Sequence, residues 1–279
     1  MSRVGTLEWA QSSSGGQLSV RDRFALLARQ GIPTWLEQKA GTAASRWGFG
    51  NPIDLSDIQN DIPGYVLSQI PSTPVAVAAG DYCKEISDKW LEAHCFRTFG
   101  FGILLGYELC FDTELLFVAA MLHDVGLTPS HKQTAGQGKS GYALSDAPCF
   151  AVRGSGVAAS FVSVQGRSAA WGQSIAEAIS MHLNVRVKPS QGVEAHLLNG
   201  ASGLDVIGLG LHKLPRRAIQ AVETLWPRSN TFENELWTVW DDETNAKPHR
   251  RCRGRLLNKW LAFERRLYQA RSARSGKKD

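Results

Sequence analysis

The sequence predicts an all-α protein, and three stretches carry that prediction. In Glu114-Leu-Leu-Phe-Val-Ala-Ala-Met-Leu-His123-Asp124-Val-Gly126, the apolar residues Leu115, Leu116, Ala119 and Leu122 recur at helical spacing, so one face is built for a core. In Ile175-Ala-Glu-Ala-Ile-Ser-Met-His182, Ile175, Ile179 and His182 share a helix face, which turns the histidine toward an apolar interior. Over Arg253–Arg271, Leu256, Trp260, Phe263 and Leu267 line one side with arginines opposite, the pattern of an amphipathic helix docked on a domain.

Taken in order, residues 1–24 are polar and broken by Ser12-Ser-Ser-Gly-Gly16, which reads as a flexible arm. Residues 25–75 mix short apolar groups with Gly and Pro. They read as irregular packing segments plus a short helix around Phe24–Leu36. From Val75 helices dominate, near 76–92, 88–109, 113–124, 155–164, 168–183, 192–198 and 214–225. Asp112 or Thr113 can cap the 113–124 helix, and Gly126 stands where a left-handed residue commonly ends one. Late tryptophans (Trp226, Trp237, Trp240, Trp260) point to a C-terminal part that packs back on the core. The expected organisation is therefore an arm (1–24), one helical domain (25–248) and a basic amphipathic tail (249–279) on the same domain.

Charge narrows the function classes. The net charge is +5, but residues 249–279 hold 11 of the 31 Lys and Arg against Glu264 and Asp279. The remainder is slightly acidic, so basicity belongs to the tail and no nucleic-acid partner is expected for the domain. Five cysteines without a CxxC pair exclude a disulfide framework or a thiolate zinc motif and suit a reducing cytoplasm. The N-terminus carries no apolar signal core, and no apolar run approaches the ~20 residues that span a bilayer. A cytoplasmic protein without a membrane partner is expected. A homo-oligomer is a reasonable expectation for a soluble enzyme.

The chemistry-bearing residues are spread along the chain. His123 and Asp124 close a helix, where a carboxylate meets the negative end of the helix dipole and needs a cation to compensate it. His94 lies upstream in Leu91-Glu-Ala-His94-Cys-Phe-Arg97, and Asp205 downstream in Gly203-Leu-Asp205-Val-Ile207. Two imidazoles and two carboxylates make a mixed nitrogen and oxygen set suited to zinc, ferrous iron or manganese. His182 reads as a site residue or a packed core histidine. His131, seven residues beyond Asp124, opens a long Gly- and Ser-rich stretch between Leu127 and Phe150, where a mobile lid is expected. Within that stretch Ala135-Gly-Gln-Gly-Lys-Ser-Gly141 has the wrong glycine spacing for a phosphate-binding loop. Arg97 can brace a ligand, bind an anion or form a structural ion pair.

The order His94, then His123-Asp124, then Asp205, on separate helices, resembles the HD superfamily, whose members hold one or two divalent metals in an all-helical core. More closely, the chain resembles the cyanamide hydratase-like subgroup. The matching segments are Ile70-Pro-Ser-Thr-Pro74, His94-Cys-Phe-Arg97-Thr-Phe-Gly-Phe-Gly102, Leu115 through Thr128, His131, Phe150 through Ala158, Glu177-Ala-Ile-Ser-Met-His182 and Gly203-Leu-Asp205-Val-Ile-Gly208. They cover roughly half of the chain. Gly126-Leu-Thr128 and the Ala-Ile-Ser-Met-His182 element argue against the cyclic dinucleotide branch, which carries a lysine after His-Asp-x-Gly. The resemblance implies an HD-type helical bundle with extra N- and C-terminal segments, and His94, His123, Asp124 and Asp205 as ligands to zinc, with iron or manganese as alternatives. In one respect the chain departs from that pattern: relatives often read Phe-Glu-Val-Asp-Gly-Ala where this chain has Phe150-Ala-Val-Arg-Gly-Ser155.

The activity this implies is a lyase reaction, hydration of a small uncharged nitrile-like substrate, cyanamide to urea first among them. Asp124 is expected to take a proton from the attacking water, and His182 or His131 to donate one to the substrate nitrogen. The alternative is a phosphohydrolase acting on a nucleotide or other phosphate ester, which would need Arg97, Lys132, Lys139 and Arg153 around the phosphate.

Overall fold

A computed structural model describes residues 4–13, 18–46, 52–132, 147 and 149–245. The described residues form twelve α-helices and no strand. They are α1 (Leu7–Ser12), α2 (Val20–Leu26), α3 (Ile32–Arg46), α4 (Ile62–Ser68), α5 (Pro74–Ile86), α6 (Lys89–Leu105), α7 (Thr113–Leu122), α8 (Phe150–Val164), α9 (Ala169–Met181), α10 (Val193–Ile207), α11 (Arg216–Leu225) and α12 (Phe232–Asn245). None of them is long and apolar enough to cross a membrane.

The bundle is built around α7. Every residue from Leu115 to Leu122 is buried, and α5, α6, α8, α9 and α10 pack about it. A helix apolar all round has no solvent face to offer and must sit in the middle. Its start is set by Asp112, whose Oδ1 accepts from the Leu115 N–H at 3.0 Å, so Asp112 and not Thr113 is the cap. Gly126 does not end α7 in a left-handed conformation: it lies in a 3₁₀ turn, Val125–Leu127, and its φ is not positive. What it supplies is room, since a Cβ there would fall 2.2 Å from the Phe150 carbonyl oxygen. That close approach lets the start of α8 press against the turn holding His123 and Asp124.

Elsewhere the expected helices appear with shifted ends. The apolar stretch from 76 to 109 is two helices, α5 and α6, divided at Ser87 and Asp88. The helix expected at 192–198 runs on as α10 to Ile207, which places Asp205 inside a helix facing α6. Three helices fall where none is expected, α1, α4 and α12; in α12, Phe232, Leu236 and Trp240 are buried at helical spacing under an acidic outer face. The amino-terminal segment also departs from a free arm. Thr6 caps α1, Trp9 and Ala10 are buried, and the Leu7 N–H donates to Glu177 on α9 at 2.8 Å. Lys139 and most of the 127–150 stretch lie outside the described residues, as do the Arg253–Arg271 helix and the rest of the 249–279 tail.

Candidate metal centre

Three elements deliver the central side chains. His94 comes from the middle of α6, His123 is the C-cap residue of α7, and Asp124 follows it at the head of the 3₁₀ turn. All three are buried, and among the described residues their ligand atoms all lie within 4.8 Å of one another. His94 Nε2 is 3.2 Å from His123 Nε2, and Asp124 Oδ2 is 3.5 Å from the first and 3.2 Å from the second. Ligands held about 2.0–2.2 Å from one ion stand about 3.0 Å apart in octahedral and about 3.4 Å apart in tetrahedral coordination. The triangle has the edges of a metal site.

Hydrogen bonding fixes which nitrogens face inward. His94 Nδ1 donates to Asp205 Oδ2 at 2.6 Å, His123 Nδ1 to the Ala120 carbonyl at 2.8 Å, and His182 Nδ1 to the Ile179 carbonyl at 2.6 Å. These tautomers follow from the acceptor on each Nδ1. With each Nδ1 so engaged, the Nε2 lone pairs of His94 and His123 face each other, and only a cation between them, a proton or a metal ion, satisfies the pair. Asp124 Oδ2 completes the acceptor-rich corner. Its other oxygen, Oδ1, faces His182 Nε2 at 3.4 Å, and the His182 ring stacks edge-on against His123.

The electrostatics agree with this division. Burial pushes the Asp124 carboxyl up, but His123 and His182 outweigh it and hold the group well below the usual carboxylate range. Burial drives His94 and His182 down, toward neutral imidazole, against the pull of Asp205 on the one and Asp124 on the other. At His123 burial also acts downward, and the Asp124 carboxylate more than reverses it.

Asp205 stands apart from the triangle. Its Oδ2 meets the far nitrogen of His94 and also accepts from Arg97 Nη2 at 2.9 Å. Its Oδ1 accepts from Arg97 Nε at 2.8 Å and from Arg228 Nη2 at 2.7 Å. Burial would raise this carboxyl, yet Arg228 and Arg97 hold it far below its ordinary value. The structure thus brings His94, His123, Asp124 and His182 together and sets Asp205 behind His94, where it orients the ring in the manner of an outer carboxylate. Arg97 is fully buried and also donates to the Trp226 and Pro227 carbonyls. His131 turns to the Tyr82 hydroxyl, with its Nε2 at 2.7 Å.

The departure at Arg153 is structural. Its buried guanidinium donates to the Ala147 and Gly126 carbonyls at 2.8 Å and pairs with Glu243 of α12 at 2.7 Å. The positive charge therefore ties the turn after Asp124 to α8 and α12.

Next to Asp124 and His182 lies a cavity of about 50 Å³ with walls from Val206, Leu236 and Trp240 and polar points at Asn184, Asn199 and Ser202. Asn199 Nδ2 donates to the His182 and Asn184 carbonyls at 2.8 and 2.7 Å, fixing the chain that carries His182. Neither Asn199 nor Arg228 stood out in the sequence, because their roles arise only where α10 and the α11–α12 connection meet in space. The chain matches no model of a known protein family, and no curated protein matches it.

Proposed function

We propose that this chain is a zinc-dependent hydratase of the HD superfamily that adds water to a small nitrile-like molecule, cyanamide first among them. The observation that carries the reading is the facing pair of imidazole Nε2 atoms 3.2 Å apart with a carboxylate oxygen at the same corner. A divalent ion held by His94, His123 and Asp124 would supply a Lewis acid and a water of lowered pKa. Asp124 and His182 both line the cavity, and Asp124 Oδ1 and His182 Nε2, 3.4 Å apart, provide the proton path. Asp124 accepts a proton as the oxygen of water bonds to the nitrile carbon. The carbon–nitrogen π pair moves to nitrogen, and the proton that Asp124 took passes from Oδ1 to the facing His182 Nε2, 3.4 Å away, and on to that nitrogen, leaving both side chains as they began. Rearrangement of the resulting isourea gives urea. His182 serves here in preference to His131, because Ile179 fixes its ring and the Tyr82 hydroxyl engages His131.

Cavity size and charge support a small neutral substrate. An apolar cavity of about 150 Å³ admits a six-carbon ring, so about 50 Å³ suits a molecule of only about two or three heavy atoms. The phosphohydrolase alternative needs cations at the site, and Arg97 and Arg153 are committed to Asp205 and Glu243. Free thiols at Cys83, Cys95, Cys110 and Cys149 fit a cytoplasmic location. The test is urea release from cyanamide by zinc-loaded protein. Turnover that is lost in His123→Ala, and falls 10²-fold or more in kcat in His182→Gln, supports the reading. Phosphate release from a nucleotide panel with no urea formed would sink it.

A further inference from the structure

Helix α10 turns one face to the cavity beside Asp124. Asn199, Ser202, Gly203, Val206 and Ile207 line it, at the i, i+3, i+4, i+7 and i+8 spacing of a single helix face. Two polar side chains stand on that face, and they are engaged differently. Asn199 is committed to the backbone: its Oδ1 accepts from the Val187 N–H at 3.1 Å, and its Nδ2 donates to the His182 and Asn184 carbonyls. Ser202 is only 8% exposed, and its hydroxyl makes no hydrogen bond among the described residues. It does not bond back to the carbonyl one turn earlier, as the Ser160 and Ser174 hydroxyls do. Nor is it sealed in, as the partnerless Thr98 hydroxyl is; its free surface opens on the cavity. Across from it, Asn184 turns its amide away and donates to the Val4 carbonyl at 3.0 Å. A buried hydroxyl is ordinarily satisfied, so what enters the cavity must supply the partner.

We infer that Ser202 binds the substrate and selects for an N–H beside the nitrile carbon, an inference that rests on the hydratase reading of the metal centre. With the nitrile at Asp124 and His182, the other end of so small a molecule is left to the remaining walls. In cyanamide that end is an amino group whose lone pair is drawn into the nitrile, so it donates well and accepts poorly. The Ser202 oxygen accepts one of its hydrogens. Acetonitrile, of the same size, brings a methyl group there and leaves the hydroxyl without a partner. A polar group placed for an N–H rejects the analogue that lacks it.

The test compares full-length, zinc-loaded wild type with Ser202→Ala, in urea release from cyanamide with acetonitrile as the competing ligand. The KM for cyanamide should rise about three- to tenfold in the variant, with kcat unchanged. The inhibition constant of acetonitrile should stay the same or fall. The melting temperature should hold or rise, because the hydroxyl has no internal bond to lose and alanine is the better helix former. An unchanged KM, or equal weakening of cyanamide and acetonitrile, would overturn the role of Ser202 and leave the hydratase reading intact. So would a melting temperature lowered by more than about 4 °C, the mark of a structural hydroxyl. No urea from the wild type would overturn both.

Discussion

Two neighbouring clusters meet at His94 and are built to opposite rules. Behind the ring, Asp205 is surrounded by donors: two guanidiniums and the His94 Nδ1–H satisfy both of its oxygens. In front of the ring, two imidazole nitrogens and Asp124 Oδ2 lie within 3.5 Å of one another with no lysine or arginine among them. One cluster is complete within the chain, and the other awaits a positive charge. A buried polar network that supplies its own partners holds structure; one that withholds a cation is placed to take one.

The comparison breaks most readily at its finished side. Asp205→Ala should cost about 3–5 kcal/mol, because it strands the buried Arg97 charge, and chemical denaturation would measure it. A cost below about 1 kcal/mol would mean that the two arginines find other partners. The unfinished side should answer to solution conditions instead. Zinc at a hundred times its Kd should add about 2.7 kcal/mol to stability, and none in His123→Ala. Between the two, Gly126→Ala should cost about 1–3 kcal/mol by forcing the Phe150 carbonyl away from the turn that carries Asp124. The gentlest probe is acid. Asp205 has a folded pKa far below its unfolded value of about 3.9, so its contribution is complete above that pH and is lost as pH falls below it. Stability should therefore drop below about pH 4, with a flatter acid limb in Asp205→Asn.

Much of this architecture was legible in the residues. Helix α7 could be read because apolar spacing, the Asp112 cap and the His123-Asp124 pair all agree. The sequence predicts only 192–198 of α10, since Asn199, Gly200, Ser202 and Gly203 have weak helix propensity. In the fold, small residues such as Gly200 and Gly203 let α10 lie close against Leu105 of α6 and the Leu209 that follows it. Helix α12 was hidden by its acids, although Phe232, Leu236 and Trp240 carry the period. The pairing of Asp205 with His94 could be read from residue order, but the side of the imidazole it meets could not. That side is set by Arg97 and Arg228, from two different parts of the chain, and no spacing records it. Nor did the loop position of His131 predict its bond to Tyr82, which depends on how α5 packs beside the turn.

The most direct measurement is metal content and affinity of purified full-length protein, by elemental analysis and zinc titration, in the wild type, His123→Ala and Asp205→Asn. A metal centre at these residues predicts one ion per chain, lost in His123→Ala and retained in Asp205→Asn with affinity lowered about 10–100-fold. A wild-type protein that binds no divalent ion, or a His123→Ala variant that binds as tightly as wild type, would contradict it.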